Sequence, residues 1–222
     1  MGKLIVFEGI DGSGKSTQSN LLRERLRREG TAFRSVTFPR YDNPSASLIK
    51  MYLGGDFGTD PGDVNAYAAS CFYAVDRFAS FKQDWQNYYE AGGLLIMDRY
   101  TTSNAIHQGA KLPEAERNAF FDWLYHFEFD QMGLPEPDAV IYMDIPLETA
   151  MQRIASREAS TGVAADIHEK NRGYLALCHA CGLQAAERYG WKKIPVTDGS
   201  RERSIEDIHE QIYSICGGII HG

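Results

Sequence analysis

The sequence predicts an α/β fold: a parallel, five-stranded sheet with helices on both faces, in a single domain over residues 1–222. Three observations predict it. Short apolar, β-prone runs alternate with longer helical patterns, which implies a mostly parallel sheet with right-handed crossovers. Several of the runs are apolar without alternation, as in strands covered on both faces. The first run leads directly into Gly9-Ile10-Asp11-Gly12-Ser13-Gly14-Lys15-Ser16-Thr17, and a helical pattern follows. That order, strand, glycine-rich loop, helix, is the context in which such a loop cradles phosphate.

The elements follow in turn. Leu4 to Phe7 is the first strand, and Gln18 to Glu29 the first helix. Phe33 to Phe38 is the second strand and ends at Pro39-Arg40-Tyr41. Gly54-Gly55-Asp56-Phe57-Gly58, with Asp60-Pro61-Gly62, marks a turn region. A helical pattern runs from Val64 to Ala91, and the third strand, Leu94 to Met97, ends at Asp98-Arg99-Tyr100. Then come a helix from Glu114 to Phe127, a strand from Ala139 to Met143 and a helix from Leu147 to Arg157. Ala159 to Ala165 is small and carries no core pattern, the composition of a lid, so a lid region is expected around residues 153–170. Gly173 to Tyr189 reads as a helix, Lys192 to Val196 as the last strand and Ile205 to Ile215 as the last helix. No internal repeat or low-complexity linker interrupts this order.

Composition narrows the function classes. A chain of 222 residues can bury a large core. The net charge is −7 without a Lys/Arg block, which argues against a nucleic-acid polymer as partner. No secretory signal is read at the N-terminus, and no apolar stretch is long enough to span a membrane. The cysteines are Cys71, Cys178, Cys181 and Cys216. Cys178-His179-Ala180-Cys181 imitates a metal or redox motif, but it sits in a helical pattern without a second pair, so a structural role is expected. Reduced thiols in a cytoplasmic protein fit this usage.

The chemistry-bearing residues fall at the C-terminal ends of the strands, where ligands bind in such sheets. Glycines let the loop fold round a phosphate with its N–H groups inward, and the helix N-terminus adds partial positive charge. Lys15 reaches the β- and γ-phosphates, and Ser16 is placed to ligate Mg²⁺. Asp98, at the end of an apolar strand, is the expected second Mg²⁺ residue. Arg99 beside it suits a second phosphate, because guanidinium binds phosphate in bidentate fashion. Arg153 and Arg157 are four apart, hence on one helix face near the expected lid, where they neutralise charge in transfer. Asp166 and Glu169 are further candidates for lid closure or the metal shell. Tyr73 and Arg77 also share a helix face, with Asp76 between them; aromatic stacking and hydrogen bonding to a base suit that pair. Asn104 offers a base edge both a donor and an acceptor.

With these motifs the chain resembles the thymidylate kinases, nucleoside monophosphate kinases of the phosphate-loop NTPase type that phosphorylate dTMP with ATP. The resemblance runs through Phe7 to Thr17, Phe38-Pro39-Arg40-Tyr41, Tyr73-Ala74-Val75-Asp76-Arg77, Asp98-Arg99-Tyr100 with Ser103-Asn104, Leu134-Pro135-Glu136-Pro137-Asp138, and Arg153-Ile154-Ala155-Ser156-Arg157. It implies ATP as phosphoryl donor, bound by residues Gly9 to Thr17. It implies a dTMP site of Asp11, Phe38, Tyr41, Tyr73, Arg77, Arg99, Asn104, His107 and Gln108. Asp11 would meet the sugar 3′-hydroxyl and the metal-phosphate region. Phe38, Tyr41 and Arg99 would surround the acceptor phosphate, Tyr73 would stack on thymine, and Arg77 and Asn104 would hydrogen-bond it. The phosphate loop lacks an arginine, so the resemblance points to Arg153 and Arg157 as the catalytic cations, beside Lys15 and Arg99. His107 stands where the family usually has an aromatic residue on the sugar's 2′ side, which bears on ribose exclusion. A homodimer is the family's usual assembly.

Rival classes make different demands. A GTPase switch needs Asn-Lys-x-Asp after a later strand, and Asp144-Ile145-Pro146 stands there instead. A nucleotide-binding protein without turnover would not need Lys15, Asp98 and Arg99 together. A deoxynucleoside kinase needs a carboxylate base near the first strand's end, a role open to Glu8 or Asp11; another nucleoside monophosphate kinase is the remaining alternative. Transfer to a phosphate needs no strong base, because its second pKa is about 6.

Overall fold

The computed structural model describes residues 1–161, 171–199 and 201–220. Five parallel strands form the main sheet, in the order β2-β3-β1-β4-β5. They are β1 (Lys3–Glu8), β2 (Arg34–Thr37), β3 (Leu94–Asp98), β4 (Ala139–Asp144) and β5 (Lys192–Pro195). β1 lies at the centre, between β3 and β4. The chain therefore winds first to one side of β1 and then to the other, which opens a crevice beyond its C-terminal end. Register sets what meets there: Phe7 pairs with Asp98 on one side and Ile141 on the other. Leu4, Ile5, Val6 and Phe7 are all fully buried, which accounts for the missing alternation in this run.

Helix α1 (Lys15–Arg28) packs on β1 and β3 and against the last helix, α9 (Ile205–Ile220). α3 (Ala66–Ser80), α5 (Thr101–His107), α6 (Glu114–Tyr125) and α8 (Arg172–Arg188) form a second group, with α8 lying on β4. α7 (Leu147–Thr161) follows β4. It extends through Thr161, so Ala159 to Thr161 of the small-residue segment are helical. The rest of the expected lid, including Asp166 and Glu169, lies outside the described residues.

Four differences from the sequence reading have physical causes. The long pattern from Val64 to Ala91 is divided into α3 and α4 (Gln86–Glu90) by a wide, π-type turn at Phe81–Trp85. There the Trp85 ring enters the core and its Nε1 donates to Ser80 Oγ at 3.1 Å. α6 runs into a similar turn at His126–Gln131, which turns Glu128 inward. α2 (Ser47–Gly54) and α5 carry weak helical patterns. α5 opens Thr-Thr-Ser, poor helix formers, and Glu8 compensates: its carboxylate accepts from Tyr100 N at 3.2 Å, Thr102 Oγ1 at 2.6 Å and Ser103 Oγ at 2.9 Å. Finally, β6 (Thr197–Asp198) and β7 (Arg201–Glu202) form a hairpin too short to leave a pattern.

Candidate active site

The loop between β1 and α1 takes its shape from glycine. Gly12 has φ +78°, and a Cβ there would stand 2.5 Å from Ala150 O of α7. Gly14 has φ +91° and precedes α1, whose N-terminus no side chain caps. Its first turn carries no acidic residue, so its N–H groups and partial positive charge remain for an anion. Ser13 Oγ is buried without a hydrogen-bond partner among the described residues. Lys15 lies over this loop, its Nζ donating to Ile10 O at 2.9 Å and standing 3.7 Å from Asp11. Burial and the nearby Arg99 guanidinium push the Lys15 ammonium down to about 8, against the pull of Asp11. Ser16 Oγ donates to Asp98 Oδ2 at 2.9 Å across the crevice. A hydroxyl and a carboxylate oxygen so close are the hard donors that Mg²⁺ takes.

Arg99 is the one non-glycine residue at positive φ among the described residues, at 67°. That conformation costs about 1–3 kcal/mol. It is held by the Arg99 N–H to Phe7 O bond at 3.2 Å. The side chain pairs with Asp11 and donates to Ser103 Oγ at 3.3 Å and to His107 Nε2 at 3.0 Å. Burial works against the Arg99 charge, but Asp11, Glu8 and Asp98 outweigh it and the guanidinium is raised above its ordinary value. Because arginine only donates, His107 Nε2 accepts and its proton sits on Nδ1, 3.6 Å from Cys178 Sγ. His107 O accepts from Tyr174 OH. His107 is thus braced from α8, a link that nothing in its local sequence announces.

Ser13, Lys15, Ser16, Asp98, Arg99 and His107 open onto one cavity of about 1070 Å³. It is lined by every expected site residue from Asp11 to Thr17, and by Phe38, Tyr41, Tyr73, Arg77, Asp98, Arg99, Asn104, His107, Gln108, Arg153 and Arg157. Gly9 and Ile10 do not line it; Ile10 is buried behind the loop and lends its carbonyl to Lys15. Gln108 brings a buried Oε1 without a partner among the described residues. Arg153 lies closer to the loop than an outlying lid residue would. Its Nη1 is 3.3 Å from Gly12 O and 3.5 Å from Ser13 O, while Nη2 pairs with Glu202 on the β6–β7 hairpin at 2.5 Å. Asp76 turns elsewhere: it accepts from Arg40 N at 2.9 Å and Ser45 Oγ at 2.6 Å, bracing the segment after β2.

Glu202, Arg203 and Glu128 escaped the sequence reading. Glu202 and Arg203 line the cavity with Val196, Ile205 and Ile208. Glu128, fully buried, grips Arg77 through two hydrogen bonds of 2.6 and 2.5 Å. Glu8, read as a possible base, is fully buried as the cap of α5 and does not line the cavity. Its carboxyl is raised by burial, partly offset by Arg99. The Cys178 and Cys181 thiols serve packing: both are buried, and Cys181 Sγ donates to Ala105 O at 3.2 Å.

A phosphate loop at the switch point of a parallel sheet, with room beside it for a second ligand, defines the class as a phosphate-loop NTPase that works on a small acceptor. Residues 7–212 match the model of the family described as thymidylate kinase. The thymidylate kinase of Mycobacterium tuberculosis is 32% identical over 170 residues, covering 76% of this chain and 78% of that protein. A probable thymidylate kinase of Thermococcus onnurineus is 30% identical over 217 residues, 95% of each chain. The solved thymidylate kinase of Candida albicans superposes with a TM-score of 0.75, covering 100% of this chain and 94% of that one at 23% identity, a likeness of fold. The chain belongs to the thymidylate kinase family, and its reaction is the ATP-dependent phosphorylation of dTMP to dTDP.

Proposed function

We propose that this phosphotransfer runs between the two halves of the cavity, ATP on the phosphate loop and dTMP between Arg99 and the Tyr73–Arg77–Asn104 end. The observation that carries it is the joining of Lys15, Asp98 and Arg99 in one cavity that continues to Tyr73 and Arg77. A non-bridging oxygen of the dTMP phosphate attacks the γ-phosphorus, and ADP leaves with the bridging oxygen. The acceptor is already mostly dianionic at neutral pH, so the chain need not remove a proton. Its task is to bring two anions together and hold them in line.

Loop N–H groups and Lys15 hold the donor phosphates. Arg99 takes the acceptor phosphate, with Phe38 and Tyr41 beside it and Asp11 directing the guanidinium. Arg153, lying against the loop carbonyls, and Arg157, one turn further along α7, meet the charge that builds on the transferring group. Ser16 and Asp98 would hold Mg²⁺; when bound it neutralises charge on the β- and γ-oxygens.

Three further readings belong to the proposal. The chain acts as one kinase domain with a lid over residues 153–170. It pairs with a second copy through α3, where Tyr67, Val75 and Phe78 fall at helical spacing and expose 42%, 51% and 37% of their surface. It works in the cytoplasm, as its four free cysteines suggest; no helix among the described residues is long and apolar enough to cross a membrane.

A coupled spectrophotometric assay across dTMP, dUMP, UMP, thymidine and deoxycytidine tests the acceptor. We expect dTMP to be preferred. Phosphorylation of thymidine without phosphorylation of dTMP would overturn the assignment.

A further inference from the structure

Arg77 and Asn104 reach the cavity from α3 and α5, and behind both stands Glu128, on the wide turn after α6. Glu128 is wholly buried, and both its oxygens are engaged. Oε2 accepts from Arg77 Nε at 2.6 Å and from Thr101 Oγ1 at 2.7 Å. Oε1 accepts from Arg77 Nη2 at 2.5 Å and from Asn104 Nδ2 at 3.3 Å. The other Asn104 Nδ2 hydrogen goes to Ser70 O at 3.2 Å.

This arrangement dictates which way the Asn104 amide faces. A carboxylate and a backbone carbonyl only accept, so the end of the amide that meets them is the nitrogen. Among the described residues Asn104 Oδ1 accepts no hydrogen bond, so the amide has an acceptor left for a ligand. Arg77 can only donate. Its charge is matched by Glu128, so it contributes direction rather than net attraction. The deep end of the cavity thus offers an acceptor beside a donor. Thymine and uracil present the complement, N3–H next to a carbonyl oxygen. Cytosine presents the reverse on that edge, a bare N3 next to an amino group.

We propose that Glu128 is the positioning residue that sets base specificity: it fixes the Asn104 amide and the Arg77 guanidinium in the pattern that accepts the keto edge of thymine and rejects the amino edge of cytosine. The inference rests on the reading above, that the acceptor base lies against Tyr73, Arg77 and Asn104. A wrong base would leave buried polar groups facing like partners, the arrangement that gives the steepest discrimination.

The test is kcat/KM for dTMP and for dCMP in the wild type and in Glu128→Gln. Glutamine places a donor where Glu128 only accepts, so the Asn104 amide keeps only Ser70 O to orient it and the Arg77 guanidinium loses its charged partner. The ratio of dTMP to dCMP is expected to fall by about tenfold or more. The loss should lie in the KM for dTMP, with kcat for dTMP and the KM for ATP little changed. A structural role alone would lower both acceptors equally; an unchanged ratio overturns the proposal. Leaving Arg77 buried beside a neutral side chain can also unfold the chain. Thr101→Val is the second variant, since it removes one hydrogen bond to Oε2 and keeps the ion pair. There the ratio should fall about twofold or more, in the same direction. An unchanged ratio in folded Thr101→Val likewise overturns it. Wild-type turnover of dTMP is read in the same assay: its absence would sink the reading of the acceptor, whereas a normal wild type with unmoved ratios sinks only the role of Glu128.

Discussion

The two ends of the cavity treat their cations in opposite ways. At the end proposed for the phosphates, Lys15 rests on Ile10 O beside Asp11, Arg153 on Gly12 O and Glu202, and Arg99 on Asp11 and neutral groups, in ion pairs whose carboxylates stay partly exposed. An incoming phosphate, a better acceptor than a carbonyl, takes the place of the backbone partners and shares the exposed ion pairs. At the base end Arg77 is matched at once by Glu128, in a pair with almost no exposure to solvent. One end holds its cations in pairs that stay open to an incoming anion; the other buries its pair and presents a pattern of donors and acceptors. The same residue type therefore serves attraction in one place and selection in the other, and what decides is the partner behind it.

That contrast is open to attack at its strong end first. Lys15→Ala is expected to lower kcat/KM for ATP by about a thousandfold or more, a barrier change of roughly 4 kcal/mol, with the fold intact by circular dichroism. Activity within about tenfold of wild type would remove Lys15 from the transition state. Arg153→Ala and Arg157→Ala should each lower kcat by about a hundredfold, while the KM for dTMP moves far less. The loop contacts of Arg153 predict the larger loss there. Unchanged kcat in both variants and in the double variant would place the catalytic cation elsewhere.

The region proposed for the sugar extends the contrast, because His107 belongs to both ends. It accepts from Arg99 and it lines the cavity. His107→Tyr should lower kcat/KM for ribothymidine monophosphate relative to dTMP by about tenfold, within the roughly 1–3 kcal/mol that a steric wall supplies. A parallel loss for both substrates would instead show that His107 acts only through Arg99. The smallest expected effect is on pH. In the proposed reading the ammonium of Lys15 is the form that binds phosphate, and burial brings its pKa down to about 8 from the ordinary 10.5. Charge is therefore lost as pH rises through about 8 rather than through 10.5. The expected outcome is a decline of a few fold in kcat/KM for ATP between about pH 7 and 9. A flat profile across that range would show that Lys15 keeps its charge.

How much of this was legible follows the same division. The phosphate loop could be read because its chemistry is local: glycines, lysine and serine sit at fixed spacing between a strand and a helix. Asp98 and Arg99 could be read because they end an apolar run. The five strands were legible for the same reason, since buried parallel strands leave unbroken apolar runs. Glu128 could not be read. Phe127 and Phe129 flank it, its partners Arg77 and Asn104 lie 51 and 24 residues away, and a π-type turn puts it out of helical phase. α5 was hidden because Glu8, 94 residues upstream of Thr102, supplies the cap that its own sequence lacks. The grip of Glu202 on Arg153 depends on strands two residues long. Charge built for a ligand announces itself in the chain; charge matched from another element does not.

In the proposed reading, charge drives transfer at one end of the cavity and pattern selects at the other. That reading is tested most directly by the ratio of kcat/KM for dTMP to that for dCMP, measured in Arg153→Ala beside Arg77→Gln. The account predicts that Arg153→Ala lowers kcat and leaves the ratio within about twofold of wild type, while Arg77→Gln lowers the ratio by about tenfold or more and largely spares kcat. A ratio that moves as far in Arg153→Ala as in Arg77→Gln would contradict it.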